Sequence, residues 1–444
     1  MNLPVKSKET NAEVQNLYSD AYDWTNQCVK CGYCLPACPT YESMGVESAS
    51  PRGRINLVKM AAEGKIDFQK DLAQPIDLCL GCRACETACP VGVPYGHILE
   101  AAKEAIENSQ PANQKNKMTK MKKLALVHLF PFPKRMNRVG SVVHLYQKTG
   151  LSKLIRRSNV LQKVSPALAH LEQALPTTES SSKRIRKGTI IPAKGETKLR
   201  VAFFTGCIMD SMMSRINRLT IELLTLVGCE VILPENQNCC GALHSHQGET
   251  KQAKELAKSN IRAFMQAEAD VIVNNAGGCG ASLLEYEHLL ANEHEWSGAA
   301  RDFSKKSKDI SQILYQLGPL PFTEEWQGVV SYQDSCHLRN VQKVQQEPRS
   351  LLQSIPGISY VEMEGYDRCC ASGGIYNLLH FDESMKILDE KMRNLKETKA
   401  TTIVTVNPGC QMQMSIGIQR EGAAANQIKS MHLVEILAKA CGLD

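Results

Sequence analysis

Eight cysteines within the first ninety residues fall into two copies of one pattern, Cys28-x2-Cys31-x2-Cys34-x3-Cys38-Pro39 and Cys79-x2-Cys82-x2-Cys85-x3-Cys89-Pro90. Thiolates are soft ligands, and the short x2 spacings let one tight loop present three of them to an iron-sulfur cube while a fourth arrives from elsewhere. Two rival chemistries fit less well. Structural zinc usually takes two separated Cys pairs, not a third Cys at x2 and a fourth before Pro. A disulfide scaffold carries roughly 8 to 10% Cys, whereas 18 cysteines in 444 residues is about 4%.

When two cubes share runs of this kind, the fourth Cys of each run ligates the other cluster. The candidate ligands are therefore Cys28, Cys31, Cys34 and Cys89 for one 4Fe-4S cluster, and Cys79, Cys82, Cys85 and Cys38 for the other. The prolines end the ligand loops and remove a backbone donor where the chain must leave the clusters. Pro51–Arg54 should start a helix over 55–62 between the runs. Arg52 or Arg54 would then face the thiolates or form an ion pair at the helix start. The N-terminal MNLPVKSKETNAEV lacks the apolar stretch of a secretory signal. Free thiolates also suit a reducing compartment, so a cytoplasmic location is expected, with peripheral attachment to the inner face of the cell membrane left open.

Length suggests about three domains. The net charge is +6, but 13 Lys and Arg and no Asp or Glu lie between Asn108 and Leu171, so the rest of the chain is acidic. Apolar residues interleave these cations at Val139–Leu145 and Leu151–Leu161, as in a helix lying on a membrane or partner surface. The plain alternative is a solvated connector. No base-reading motif accompanies the charge, so nucleic acid is not expected as a partner. Pro176–Lys198 is rich in Ser, Thr, Gly and Lys and reads as a flexible linker.

From Lys198 onward, short apolar runs alternate with helical periods, twice over. Strands are expected at Arg200–Phe204, Val231–Leu233 and Val271–Val273, with helices at Asn217–Val227 and Lys251–Ala267. The second copy has Val329–Tyr332, Ser359–Val361 and Thr402–Val406 as strands and Asp382–Glu397 as a helix. Such alternation predicts parallel α/β units. The cysteines keep the repeat: Cys207, Cys239, Cys240 and Cys279 match Cys336, Cys369, Cys370 and Cys410 at offsets of 129 to 131 residues. All should gather beyond the carboxyl ends of strands, where open α/β sheets place their sites. They are candidate ligands for one or two further clusters. Paired cysteines are otherwise small buried hydrophobes, the reading given to the unmatched Cys229 and Cys441. His244 and His337, near these thiols, are candidates to donate to sulfur or carry a proton, or are ordinary loop histidines.

The duplicated Cys, Cys-Cys-Gly, Cys order resembles the cysteine-rich CCG domain of heterodisulfide reductase B-type subunits. With CGYCLPACPTY, PRGRINLVK, CLGCRACETACPVGVPY, FTGC and DSCHLRN, the chain resembles the iron-sulfur subunits of glycolate oxidases (glycolate dehydrogenases). The basic segment and linker fall outside that resemblance. It implies an α+β multidomain chain: a helical two-cluster 4Fe-4S ferredoxin-type domain over 1–107, a basic helical segment and linker over 108–197, and tandem parallel α/β CCG domains over 198–325 and 326–444. Two departures stand out. The second pair is followed by Ala371 instead of Gly, and neither half has the Cys-x2-Cys that would add a fifth ligand.

The chain has no GxGxxG fingerprint, Walker sequence or paired-carboxylate pattern, and no catalytic residue is assigned. The resemblance implies an electron-transfer subunit, inactive alone, with FAD or FMN on a partner flavoprotein that oxidises glycolate to glyoxylate and with a quinone or similar acceptor. Subunits serving lactate or anaerobic glycerol-3-phosphate dehydrogenases, and a thiol enzyme of the heterodisulfide reductase kind, are the alternatives; an assembly protein with zinc in every site is a further one.

Overall fold

The computed structural model describes residues 21–109, 117–158, 160–422 and 427–443; the N-terminal MNLPVKSKETNAEV and part of the basic segment lie outside them. The chain forms two compact units, one reaching to Leu124 and including Leu243–Ala253, the other comprising Ala125–Ala242 and the residues from Lys254 onward.

In the first unit the two cysteine loops share one backbone device. Lys30 (φ 58°) and Gly32 (φ 89°) in the first run, and Gly81 (φ 64°) and Arg83 (φ 58°) in the second, take left-handed conformations at the same two steps of the motif. These turns curl the loop around its thiols, and a non-glycine residue there costs about 1–2 kcal/mol. The helix Pro51–Ala62 follows from its own start signals: Ser50 Oγ accepts from Gly53 N at 2.9 Å, and Pro51 occupies the first turn. Gly53 is required there, because a Cβ would lie 2.0 Å from Glu47 O. The helix buries Ile55, Val58 and Ala61 in a core with Leu72, Ile76, Ile98 and Leu99.

The second unit opens with helices Pro133–Lys148, Leu151–Ser158, Val160–Val164 and Pro166–Gln173. Val142, Leu145, Leu154 and Val164 on them are 66, 59, 63 and 73% exposed. Their cations are not all free: Arg156 binds Glu172 at 2.9 Å. Among the described residues, no helix is long and apolar enough to cross a membrane. The stretch read as a flexible linker is partly tied down. Ile190–Ile191 (β1) pairs antiparallel with Ile232 and Val231, and Gly188 N donates to Leu233 O at 2.7 Å. The two β-branched residues there complete a sheet edge, which outweighs the polar composition around them.

β1 joins Leu199–Phe203 (β2), Cys229–Ile232 (β3), Val271–Asn274 (β4) and Ser307–Asp309 (β5) in a sheet of order β1-β3-β2-β4-β5. The second sheet orders Val329–Tyr332 (β6), Ser359–Tyr360 (β7), Thr402–Thr405 (β8) and Lys429–His432 (β9) as β7-β6-β8-β9. Apart from β1 all pairings are parallel, with Val201 between Val231 and Val271. β5 and β9 were not anticipated, since both are polar edge strands. One apolar core runs through both halves, with Val201, Leu223 and Val273 joined to Val330, Leu352, Val404 and Leu437. Cys229 and Cys441 are buried within it.

Candidate metal centres

Two hollows lie beside the cysteine loops of the first unit. One is lined by Cys28, Cys31, Cys34, Cys85 and Cys89, the other by Cys38, Cys79, Cys82 and Cys85. The fourth Cys of each run thus stands with the first three of the other run, and Cys85 borders both. Donors converge on the sulfurs: Gly81 N reaches Cys79 Sγ at 3.4 Å, Val93 N reaches Cys89 Sγ at 3.4 Å, and Tyr95 OH reaches Cys79 Sγ at 3.3 Å. Tyr95 escaped the sequence reading, although it sits in the motif at the end of CPVGVPY.

Arg52 and Arg54 take different parts. Arg52 borders the hollow of Cys28, Cys31 and Cys34 and is bound on its exposed side to Glu47 at 2.7 Å. Arg54 is 1% exposed, borders the hollow of Cys38 and Cys79, and donates to Pro75 O at 2.7 Å and Thr40 Oγ1 at 3.0 Å. Its remaining terminal nitrogen is buried without a hydrogen-bond partner. Desolvation opposes its charge, yet the nearby Cys79, Tyr95 and Cys38 hold the guanidinium above its ordinary range. Burial pushes the Cys85 and Cys38 thiols up, and bound metal would reverse that. A buried cation with one nitrogen unpartnered and no carboxylate partner among the described residues, beside four thiols, suits an anionic iron-sulfur cluster.

In the second unit the eight matched thiols meet four by four at the carboxyl ends of the strands. Cys207 Sγ lies 3.6 Å from Cys239 Sγ, and Cys240 bridges Cys239 to Cys279. In the other half Cys336 meets Cys369, which meets Cys370, which meets Cys410. Among the described residues neither group includes a fifth cysteine; Cys229 and Cys441 lie in the apolar core. Ala371 holds φ +66° where Gly241 holds φ +87°, so the missing glycine leaves the turn intact with a strained alanine. Cys279 and Cys410 ride on the first turns of helices Gly277–Leu284 and Pro408–Arg420. The two halves touch here: Gly277 N donates to Val406 O at 3.0 Å, Gly278 N to Asn407 Oδ1 at 3.1 Å, and Gln342 Nε2 to Gly277 O at 2.9 Å.

His337 Nδ1 lies 3.4 Å from Cys336 Sγ, and His244 is fully buried on the helix Ala242–Ser245. The Cys336 thiol falls to about 5, first through Cys369 and then, against desolvation, through His337. The thiols of each half meet in a row of pairwise contacts, and among the described residues no three His, Cys, Asp or Glu side chains are set around one point as a single metal ion would need.

Family comparisons agree with this layout. A 4Fe-4S dicluster domain matches residues 24–93, a cysteine-rich domain matches 201–284 and again 330–415, and the linker region of the glycolate oxidase iron-sulfur subunit matches 118–175. The last match corrects the expectation that the basic segment lies outside the resemblance. The chain is 45% identical to the probable glycolate oxidase iron-sulfur subunit of Bacillus subtilis, over 97% of each chain. It is 29% identical to the glycolate oxidase iron-sulfur subunit of Escherichia coli, over 93% of each. Lactate utilization protein A of Oceanobacillus iheyensis is 34% identical over 54% of this chain and 96% of its own.

Proposed function

Because the chain belongs to the glycolate oxidase iron-sulfur subunit family, we propose that it takes electrons from a flavoprotein partner that oxidises glycolate to glyoxylate, and passes them singly toward a quinone or similar acceptor. It is an electron-transfer subunit and does not oxidise glycolate alone. Bound 4Fe-4S clusters supply reversible one-electron acceptance. The chain's own residues do the rest. Cys28, Cys31, Cys34 and Cys89 hold one cluster, and Cys79, Cys82, Cys85 and Cys38 the second. Cys207, Cys239, Cys240 and Cys279, and Cys336, Cys369, Cys370 and Cys410, hold further clusters in residues 198–325 and 326–444. The single observation that carries this reading is the lining of the two hollows in the first unit.

Around those thiols, N–H and O–H donors from Gly81, Val93 and Tyr95 favour added negative charge. Arg54 does the same from a buried position. Helices 133–173 turn apolar side chains and cations outward together, which supports peripheral docking on an anionic membrane face near a quinone pool.

The test is anaerobic mixing of the purified chain with its flavoprotein. Glycolate should bleach the clusters only when both are present, and Cys31→Ser or Cys82→Ser should stop transfer to acceptor while sparing flavin reduction. Turnover of glycolate by the chain alone would refute the relay. The lactate utilization relatives favour one second reading: if lactate bleaches the clusters better than glycolate, the relay stands and the substrate changes.

A further inference from the structure

The two halves of the repeat differ at one buried position behind their cysteine pairs. In the first half Asn260, fully buried, accepts from Asn238 N at 2.8 Å and donates to Cys239 O at 2.9 Å. It braces the loop that presents Cys239 and Cys240 with a neutral amide. The matched position of the second half, 131 residues on, is Lys391. Lys391 is 3% exposed and donates to Arg368 O at 2.9 Å and to Gly365 O, bracing the loop of Cys369 and Cys370 in the same way. Both side chains come from the long helix that follows the pair, Thr250–Met265 in one half and Phe381–Glu397 in the other.

The bracing is shared and the charge is not. Among the described residues Lys391 forms no ion pair. The nearest carboxylates have other partners: Asp334 binds Arg339 at 2.8 Å and Arg349 at 2.9 Å, and Asp367 lies 3.9 Å from Arg339. Both of its hydrogen bonds are to carbonyl oxygens, the partners an ammonium takes, since it donates three N–H and accepts none. The first half also has a half-buried cation, Lys187, but that one has a counter-ion in Asp210 at 3.7 Å. A buried positive charge held by two carbonyls behind a ligand loop stabilises whatever negative charge arrives in front of it, with little screening by water.

We propose that Lys391 makes the second-half site the more oxidising of the two, so that electrons reaching the repeat settle beside Cys369 and Cys370. Lys391 tunes that site through space and touches none of the reacting atoms. The inference rests on the reading that both halves hold clusters. Each transfer moves one electron, with no bond made or broken. The duplication then has a direction: the neutral first-half site passes electrons on, and the charged second-half site collects them for release.

The experiment is a potentiometric titration of the full chain, reconstituted with iron and sulfide without oxygen and followed by magnetic resonance of the reduced clusters. Lys391→Gln keeps a donor and loses the charge; Lys391→Asn installs the residue that the fold already accommodates in the first half; Lys391→Arg keeps the charge. In the two neutral variants one signal should lose at least tenfold in its reduced-to-oxidised ratio at a fixed potential, a fall of about 59 mV for one electron. The other signals should stay in place, and Lys391→Arg should restore the first. If iron is bound at both halves and no single midpoint moves, or if all move together, the inference is wrong. Iron bound by the first unit alone would overturn the cluster reading and this inference with it, and metal analysis separates that outcome from an unmoved midpoint.

Discussion

Replacing Arg54 by Met removes a buried guanidinium while keeping much of its apolar length, and so separates the fold from the cluster. Its hydrogen bonds to Pro75 O and Thr40 Oγ1 form without metal. They contribute to the fold, at about 1.5–3 kcal/mol for each bond made by a charged donor, and cancel from the affinity for iron. The charge does not cancel, because among the described residues no carboxylate pairs with Arg54 and the thiols of Cys38 and Cys79 are what it faces. Breaking a buried ion pair from one side costs about 3–5 kcal/mol. That is roughly two to four powers of ten in retention of the cluster assigned to Cys38, Cys79, Cys82 and Cys85. The assay is an anaerobic chelator challenge that follows visible absorbance and the magnetic resonance signal of each reduced cluster. Arg54→Met should release one cluster early and keep the one assigned to Cys28, Cys31, Cys34 and Cys89, with Arg54→Lys in between. Equal retention in Arg54→Met and the parent protein, or early loss of the other cluster, would refute the argument.

Three further outcomes are expected. Cys38→Ser should damage the cluster that depends on Cys79, Cys82 and Cys85, and Cys89→Ser the other, as read by magnetic resonance; the reverse pattern would show that the fourth ligands do not cross. Asp309 caps the helix Ile310–Leu317 while fully buried, and burial raises its carboxyl to about 6 from 3.8. The folded form holds its proton more tightly than the unfolded one, so stability falls as pH rises through that window. Asp309→Asn should flatten the slope and gain on the order of 3 kcal/mol at most above it, measured by denaturant melts across pH. For the basic helices, Arg156 is already bound to Glu172, so the informative change is Lys153→Glu with Arg157→Glu. This pair should weaken binding to anionic vesicles in flotation assays, the loss shrinking as salt rises, and unchanged flotation would leave only a connector.

The parts of the fold that were legible in the chain were those where spacing alone dictates geometry. The x2 steps of the cysteine runs, Gly32 and Gly81 at their turns, and the in-register thiols of the repeat all act through local geometry or simple duplication. Other features depend on neighbours far away in sequence. Lys30 and Arg83 carry positive φ against their own preference, β5 and β9 are strands because a sheet edge recruits polar residues, and Ile190–Ile191 is ordered by β3. Arg54 and Arg52 cannot be told apart by spacing, since each borders a cysteine hollow and the difference is that Arg54 is buried while Arg52 is held at the surface by Glu47. The Asn260 and Lys391 contrast was present in the repeat register, but nothing local marks either residue as buried.

The hydrogen bonds from Gly277 and Gly278 to Val406 and Asn407 join the turn that presents Cys279 to the turn that presents Cys410. A Cβ at Gly277 would come within 2.5 Å of Ser335 Oγ, one residue before Cys336. The gap between the two thiol groups is therefore held by direct contact between the turns that present them. Tunnelling between redox centres depends steeply on that gap, so the passage between the halves should be indifferent to solvent viscosity. Any viscosity dependence of the overall rate would then arise where this chain meets other molecules.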